Sequence, residues 1–222
     1  MNAGQQAFDL ETYGEFRRVM RQGDFGAKVD LATIMAKGPS TGVGALADGR
    51  GEITISEGNL IVSYGDGAQA DPLAQSAALL AVGLVKDWQA TTVDVDVAPE
   101  DIEAFLTAAA RSQGIDPDRS FLFEARGVIA PYVMHVNKAP TGGPYGHGRP
   151  MAITVESKGD EMKGRAVGVY VAPELVGIAT HGGERTHSHW VSIDGRSTAH
   201  LDRWGLKAGA RLWLPKPSYL VP

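Results

Sequence analysis

At 222 residues, 43% of them hydrophobic, the chain is long enough to bury a substantial core without an external staple. Its net charge of −5 comes with no basic block and no interleaving of basic and aromatic residues, so nothing supports a nucleic-acid partner and a small molecule is the expected ligand. The absence of cysteine excludes disulfides, iron–sulfur clusters and a thiolate nucleophile, and leaves nitrogen and oxygen as the only donors for any metal. Met1 to Asp9 lacks a basic start followed by an apolar core, and the longest apolar run, Ala77 to Val85, is too short to span a bilayer. A soluble, cytoplasmic protein with no membrane partner is therefore expected.

Along the chain, Phe8 to Arg21 carries Tyr13, Phe16, Val19 and Met20 at helical spacing and stops at Gly23, which predicts an amphipathic helix. A second short helix is expected over Leu31 to Met35. From Thr41 the pattern becomes extended: Gly42 to Leu46, Glu52 to Ser56 and Leu60 to Tyr64, joined by turn residues, read as a meander. Ala77 to Val85 reads as a buried strand, and the alternation of Val93, Val95 and Val97 with Asp94 and Asp96 predicts another over Thr91 to Val97. The next helix starts at Pro99. Asp101 and Glu103 complement its dipole, and Ile102, Phe105, Leu106 and Ala109 form one apolar face before Gly114. Strand-like segments follow at Phe121 to Ile129 and Tyr132 to Val136.

Ala139 to Pro150 is dense in glycine and proline and marks the best boundary, dividing an N-terminal α+β domain, 1–138, from a β-rich metal-binding domain, 139–222. Strands are expected beyond it at Met151 to Glu156, Arg165 to Val171, Thr186 to Ile193, Thr198 to Trp204 and Arg211 to Leu214. Few helices with mixed, largely antiparallel sheets make the fold class α+β.

Several local signals carry no chemistry. Gly38-Pro39-Ser40-Thr41-Gly42 matches a nucleophile elbow letter for letter, but a helical pattern precedes Ser40 and an extended one follows, the reverse of what an elbow needs. Gly42-Val43-Gly44 opens no helix and so is not a dinucleotide loop. Asp94 and Asp96 read as a solvated strand face, His181 as a loop histidine, and His147 as an exposed linker residue.

The informative cluster is Thr186-His187-Ser188-His189-Trp190, with His200 beyond a turn at Asp194-Gly195-Arg196-Ser197. On a strand, side chains at i and i+2 leave the same face roughly 6.5 Å apart, so His187 and His189 can converge. The turn folds the chain into a hairpin that brings His200 beside His189. Three imidazoles on one face are the donor set of a catalytic zinc site, which keeps one position open.

The stretch Gly183 to Asp194 followed by Ala199-His200-Leu201-Asp202, together with Gly168 to Pro173, Gly177-Ile178, Gly42 to Leu46 and Gly51-Glu52-Ile53, resembles the α-acetolactate decarboxylase family. The resemblance runs from about Phe16 to Trp204. It implies a two-domain α+β fold, commonly a homodimer, with zinc or another divalent metal on His187, His189 and His200 and an acidic partner at Glu52. It also implies decarboxylation of a 2-hydroxy-3-oxo acid, acetolactate to acetoin, through a metal-stabilised enediolate. Two family features are missing. Counting from Gly127 places His135 where the family has an arginine that contacts substrate, leaving Arg126 and Arg185 as substitutes, and Leu214 to Pro222 has no counterpart of the family's tail glutamate. Rival expectations are a metal-dependent hydrolase or another lyase on the same fold, and a non-catalytic metal-containing binding protein.

Overall fold

The structure, a computed structural model, describes residues 10–138 and 153–217. His147 and the whole Gly/Pro segment, 139–150, lie outside the described residues, as do Met1 to Asp9 and the last five positions.

The elements in chain order are β1 (Leu10–Tyr13), α1 (Phe16–Gln22), β2 (Val29–Asp30), α2 (Leu31–Met35), β3 (Thr41–Leu46), β4 (Gly51–Ser56), β5 (Asn59–Tyr64), β6 (Ser76–Gly83) and β7 (Trp88–Thr92). They continue with α3 (Ile102–Ser112), β8 (Phe121–Lys138), β9 (Ile153–Gly159), β10 (Met162–Tyr170), β11 (Thr186–Val191), β12 (Thr198–Leu206) and β13 (Arg211–Pro215). A six-stranded sheet runs β1-β6-β3-β4-β5, with β2 also on β6, and a seven-stranded sheet runs β10-β11-β12-β8-β13-β7, with β9 on β8. Every pairing is antiparallel. The α+β class holds, and the first sheet lies over the second, β3 and β4 packing on β10, β12 and β8.

β3 and β4 are buried along their whole length. Ile53 and Ile55 sit in a cluster with Leu31, Ile34, Leu46 and Leu80 on the helix-covered face. Glu52 and Thr54 alternate with them and point towards the second sheet, as the period of a strand requires. The larger core belongs to the second sheet and contains Phe121, Leu122, Phe123, Val167, Val169, Leu206 and Leu212. Helix α3 closes that core with Ile102, Leu106, Ala109 and Ala110.

β8 is the axis of the second sheet. Its first half pairs with β10 and β13, and its second half with β12 and β9. Because β10 also pairs with β11, and β11 with β12, these strands close a ring around the core. The 139–150 segment therefore joins two strands of one sheet, whereas the break between the sheets falls between Gly83 and Trp88.

Three expectations come out differently. The strands expected at Phe121 to Ile129 and Tyr132 to Val136 are one continuous strand, β8. The helix expected from Phe8 begins at Phe16, because Leu10–Tyr13 pairs with β6 through Tyr13↔Leu80. Gly14 separates the strand from the helix with φ +75, at a point where a Cβ would lie 2.1 Å from the Ala78 carbonyl oxygen. The strand expected over Thr91 to Val97 ends at Thr92. Val93 and Val97 turn inward at 1% and 6% exposure while Val95 is 68% exposed, and Asp96 accepts a hydrogen bond from the Ala208 N–H. The alternation there reflects a loop anchored every fourth residue.

Gly168 ties the ring to the histidines. A Cβ on it would lie 2.5 Å from Phe123 Cζ and 2.7 Å from the carbonyl oxygen of His187. Since Phe123 is fully buried and His187 is fixed in β11, Gly168→Ala is expected to destabilise the protein by about 1–3 kcal/mol through overpacking. It is also expected to weaken metal binding, as read by thermal denaturation and a zinc titration of the same variant.

Candidate metal centre

The register places the histidines in a row. His189 pairs with His200, His200 with His135, and His135 with Glu156, across β11, β12, β8 and β9. Directly opposed residues of antiparallel strands share a face. The β11–β12 turn that sets this register is closed by Ser192 N–H to the Ser197 carbonyl, 3.0 Å, with the Ser192 hydroxyl on Asp194, 2.6 Å. Glu103 of α3 accepts from the N–H groups of Arg185 and Thr186, 2.6 and 3.2 Å, and so fixes where β11 starts.

His187, His189 and His200 are all buried, and one ligand nitrogen from each lies within 4.8 Å of the others. Their ring centroids form a near-equilateral triangle of 4.9, 5.0 and 5.4 Å. The protons on two rings follow from their partners. His187 Nδ1 is 3.1 Å from the Ala179 carbonyl, which only accepts, so Nδ1 carries the proton and Nε2 is bare. For His189 the argument runs through two hydroxyls. Thr198 Oγ1 donates to the Trp190 carbonyl, 2.9 Å, so Thr54 Oγ1, 2.6 Å away, must donate to Thr198. Thr54 then accepts from His189 Nδ1, 3.1 Å away, which leaves His189 Nε2 bare as well.

These two Nε2 atoms lie 3.0 Å apart. Two lone pairs cannot hydrogen-bond each other, and a buried pair with no donor between them is costly. A divalent metal resolves the arrangement: nitrogens at about 2.0–2.1 Å from a tetrahedral zinc lie roughly 3.3 Å apart. Burial pushes His187 down from its ordinary 6.5 to about 3 and holds His189 and His200 well below it, so all three imidazoles are neutral, the form that can bind a metal. The residues present fit a three-histidine metal site.

Glu52 arrives from the first sheet, 2% exposed, with Oε2 3.7 Å from His189 Nε2 and Oε1 accepting the Asn137 N–H at 3.0 Å. Burial raises its carboxyl from 4.5 to about 7, against the opposing pull of His135 and the Asn137 N–H. His135 is gripped by Asp202, whose two carboxylate oxygens each lie 2.8 Å from Nδ1. Burial alone would lower this imidazole, but Asp202 and Glu52 outweigh it and raise its affinity for a proton. Glu52, His135, His187 and His200 line one cavity of about 370 Å³ between the sheets, and His189 lies beneath it.

Arg126 and Arg185 are not brought to this cavity. Arg126 binds Glu124 and Glu57, 2.5 Å each, on a separate groove of about 910 Å³. Arg185 donates to the Val171 and Pro117 carbonyls, 2.9 and 2.6 Å, and stacks over Tyr170. Each guanidinium is committed to partners in the fold, which corrects the expectation that one of them replaces the family's arginine. His181 lies in a loop as expected, yet its ring walls the cavity 5.5 Å from His200 and 4.4 Å from Phe16. Asp202 was missed, although it stands two residues after His200, the same spacing that exposed His187 and His189. The Thr54–Thr198 relay has no local signal, because its members are 144 positions apart.

The buried histidines make a signed pH prediction for the metal-free protein. Below 6.5 the unfolded chain protonates all three while the native state does not, so their stabilisation is present above 6.5 and is lost as pH falls, down to about 3 for His187. Glu52 acts oppositely between 4.5 and about 7, where the native carboxyl holds a proton that the unfolded one has released. The net excess of two protons predicts a loss of about 2–3 kcal/mol per pH unit between roughly pH 6 and 4.5. Denaturant unfolding of chelated protein at pH 7, 6 and 5 measures it, and a flat profile would contradict neutral buried imidazoles.

No family model matches the sequence, and no curated relative matches it. Solved structures do. An α-acetolactate decarboxylase from Bacillus subtilis strain 168 superposes with a TM-score of 0.74 at 12% identity, over 92% of this chain and 84% of that one. Acetolactate decarboxylase from Bacillus subtilis subspecies spizizenii gives 0.74 at 12% identity, over 94% and 86%. A Staphylococcus aureus protein of unknown function similar to α-acetolactate decarboxylase gives 0.68 at 11%, over 92% and 84%. With two antiparallel sheets closing over the histidine row and this extent of superposition, the chain has the α-acetolactate decarboxylase fold.

Proposed function

We propose that this protein is a divalent-metal-dependent decarboxylase, with zinc the expected ion, acting on a 2-hydroxy-3-oxo acid in the manner of acetolactate to acetoin. The observation that carries the reading is the pair of bare Nε2 atoms facing each other at 3.0 Å beneath a cavity that also holds Glu52 and His135. His187, His189 and His200 would hold the metal, which when bound would supply Lewis acidity for the negative charge left as the carboxylate departs as CO₂.

The chain's own groups divide the remaining work. In the reaction the bond from carbon to the carboxylate breaks, its electron pair stays on the substrate carbon, and a proton must then reach that carbon. Glu52, its carboxyl raised to about 7 by burial, is matched to deliver that proton near neutral pH. His135 has Nδ1 occupied by Asp202, so Nε2 is the nitrogen available to a substrate carboxylate. Among the described residues no lysine or arginine lines the cavity, which leaves His135, its affinity for a proton raised by Asp202 and Glu52, as the side chain able to meet a carboxylate. The resemblance adds a homodimer to this reading.

The same absence of lysine and arginine favours one second reading, a metal-dependent hydrolase of a neutral ester, in which the ion activates water. Zinc-loaded protein is expected to release CO₂ from acetolactate and form acetoin, and His187→Ala to lose both the bound zinc and the turnover. Glu52→Gln should keep the zinc and lower kcat by about 10²–10⁴. Undiminished turnover after chelation, or ester cleavage with no decarboxylation, would overturn the decarboxylase reading.

A further inference from the structure

The cavity is lined by polar side chains, among them Glu52, His135, Asn137, Glu156 and Asp202, and by an apolar wall of Phe16, Val19, Met20, Phe25 and Leu79. Most of this wall is a cluster of its own. Phe16, Val19 and Phe25 pack with Ala45, Ala78 and Leu79, apart from the two sheet cores. It is placed by α1, whose first turn is tied to the loop before β11 by Phe16 N–H to Ile178 and Arg17 N–H to Gly177 carbonyls, each 2.9 Å. A wall anchored in this way does not collapse to fill an empty cavity.

The wall also begins at the chemistry. Phe16 lies edge-on to His187, with ring centroids 4.9 Å apart and planes at 80°. Met20, on the same helix, keeps 40% of its surface exposed while lining the cavity. Buried apolar surface next to reacting atoms favours a ligand that brings apolar surface of its own.

Size points the same way. The cavity measures about 370 Å³. Even at a full water volume of about 30 Å³ for each non-hydrogen atom, acetolactate would leave roughly a quarter of it empty, and a gap against aromatic and aliphatic side chains forfeits their contacts.

We infer that the substrate carries, beside its reacting carbon, an apolar substituent larger than methyl, a branched aliphatic chain or an aryl ring, which lies against Phe16, Val19, Met20, Phe25 and Leu79. The inference rests on the decarboxylase reading for the acid but not for the apolar subsite. Each additional buried methylene is worth about a fourfold gain in affinity, so an aryl group in place of methyl gives a gain of at least tenfold.

Two measurements on the zinc-loaded protein separate the subsite from the reaction. The first is calorimetric binding of two neutral hydroxyketones that cannot decarboxylate, acetoin and its congener with phenyl in place of one methyl, phenylacetylcarbinol. The phenyl compound is expected to bind at least tenfold more tightly. Val19→Trp, which fills the wall, and Met20→Lys, which places a charge at its exposed lip, should each bring the ratio of the two affinities towards one. The second is kcat/KM for acetolactate against the analogue bearing phenyl in place of methyl on its hydroxyl-bearing carbon, whose decarboxylation gives phenylacetylcarbinol, with the analogue expected to exceed acetolactate at least tenfold. Equal or weaker binding of phenylacetylcarbinol, an unchanged preference in both variants, or a higher kcat/KM for acetolactate overturns the inference. Tighter binding of phenylacetylcarbinol with neither acid decarboxylated upholds the apolar subsite and removes the decarboxylase reading instead.

Discussion

The site depends on one constraint: the two sheets meet over imidazoles whose protons are already committed. A buried imidazole needs a partner for its N–H, and here each assigned proton is directed away from the centre of the cluster. The acceptor for His187 is the Ala179 carbonyl. For His189 it is Thr54, a residue of the first sheet, and the relay ends on the Trp190 carbonyl of β11 through Thr198 of β12. The first sheet therefore fixes a ring orientation in the second, and the same strand, β4, carries Glu52 one alternation earlier. Orientation by outer partners of this kind normally sets the tautomer and basicity of metal-binding histidines.

What could be read from the residues follows from the range of each interaction. The pairing of His189 with His200 was legible because a turn of known chemistry separates them and a strand repeats every two residues. The meander of β3 to β5 and helix α3 were legible for the same reason, as periodic segments with turn or capping residues at their ends. The start of α1 was not, because Tyr13 fits a helical stripe by spacing while its backbone is claimed by β6. Nor was the joining of β8 and β9 across the Gly/Pro segment, since a strand of 18 residues that serves two sets of partners looks locally like two short strands. The fate of the arginines was beyond local reading altogether. Arg126 is committed to Glu57, 69 positions away, and Arg185 to the carbonyl of Pro117, 68 positions away.

The electrostatics of the cavity differ from what an arginine would impose. A guanidinium is charged at every accessible pH and offers a planar fork to a carboxylate. An imidazole between Asp202 and Glu52 offers one nitrogen, and its charge depends on those carboxylates. On the decarboxylase reading, this arrangement would recognise a carboxylate less strongly before reaction than a guanidinium would, and would not hold a second strong cation beside the charge that develops when CO₂ leaves. Since catalysis gains only from interactions that strengthen on the way to the transition state, weaker ground-state binding of the acid need not mean slower turnover.

On that reading binding energy must come from elsewhere, and the apolar wall is the surface that would provide it. Remote contacts can hold a substrate in place while the reacting carboxylate is left weakly bound. Helix α1 supplies much of that wall and also touches two of the histidines, through Phe16 on His187 and His181. On the proposed reading, one short element would couple the grip on the unreactive part of a substrate to the position of a metal ligand. A shift of α1 that loosened the wall would move the edge of Phe16 away from His187, so substrate specificity and metal geometry would share one packing contact.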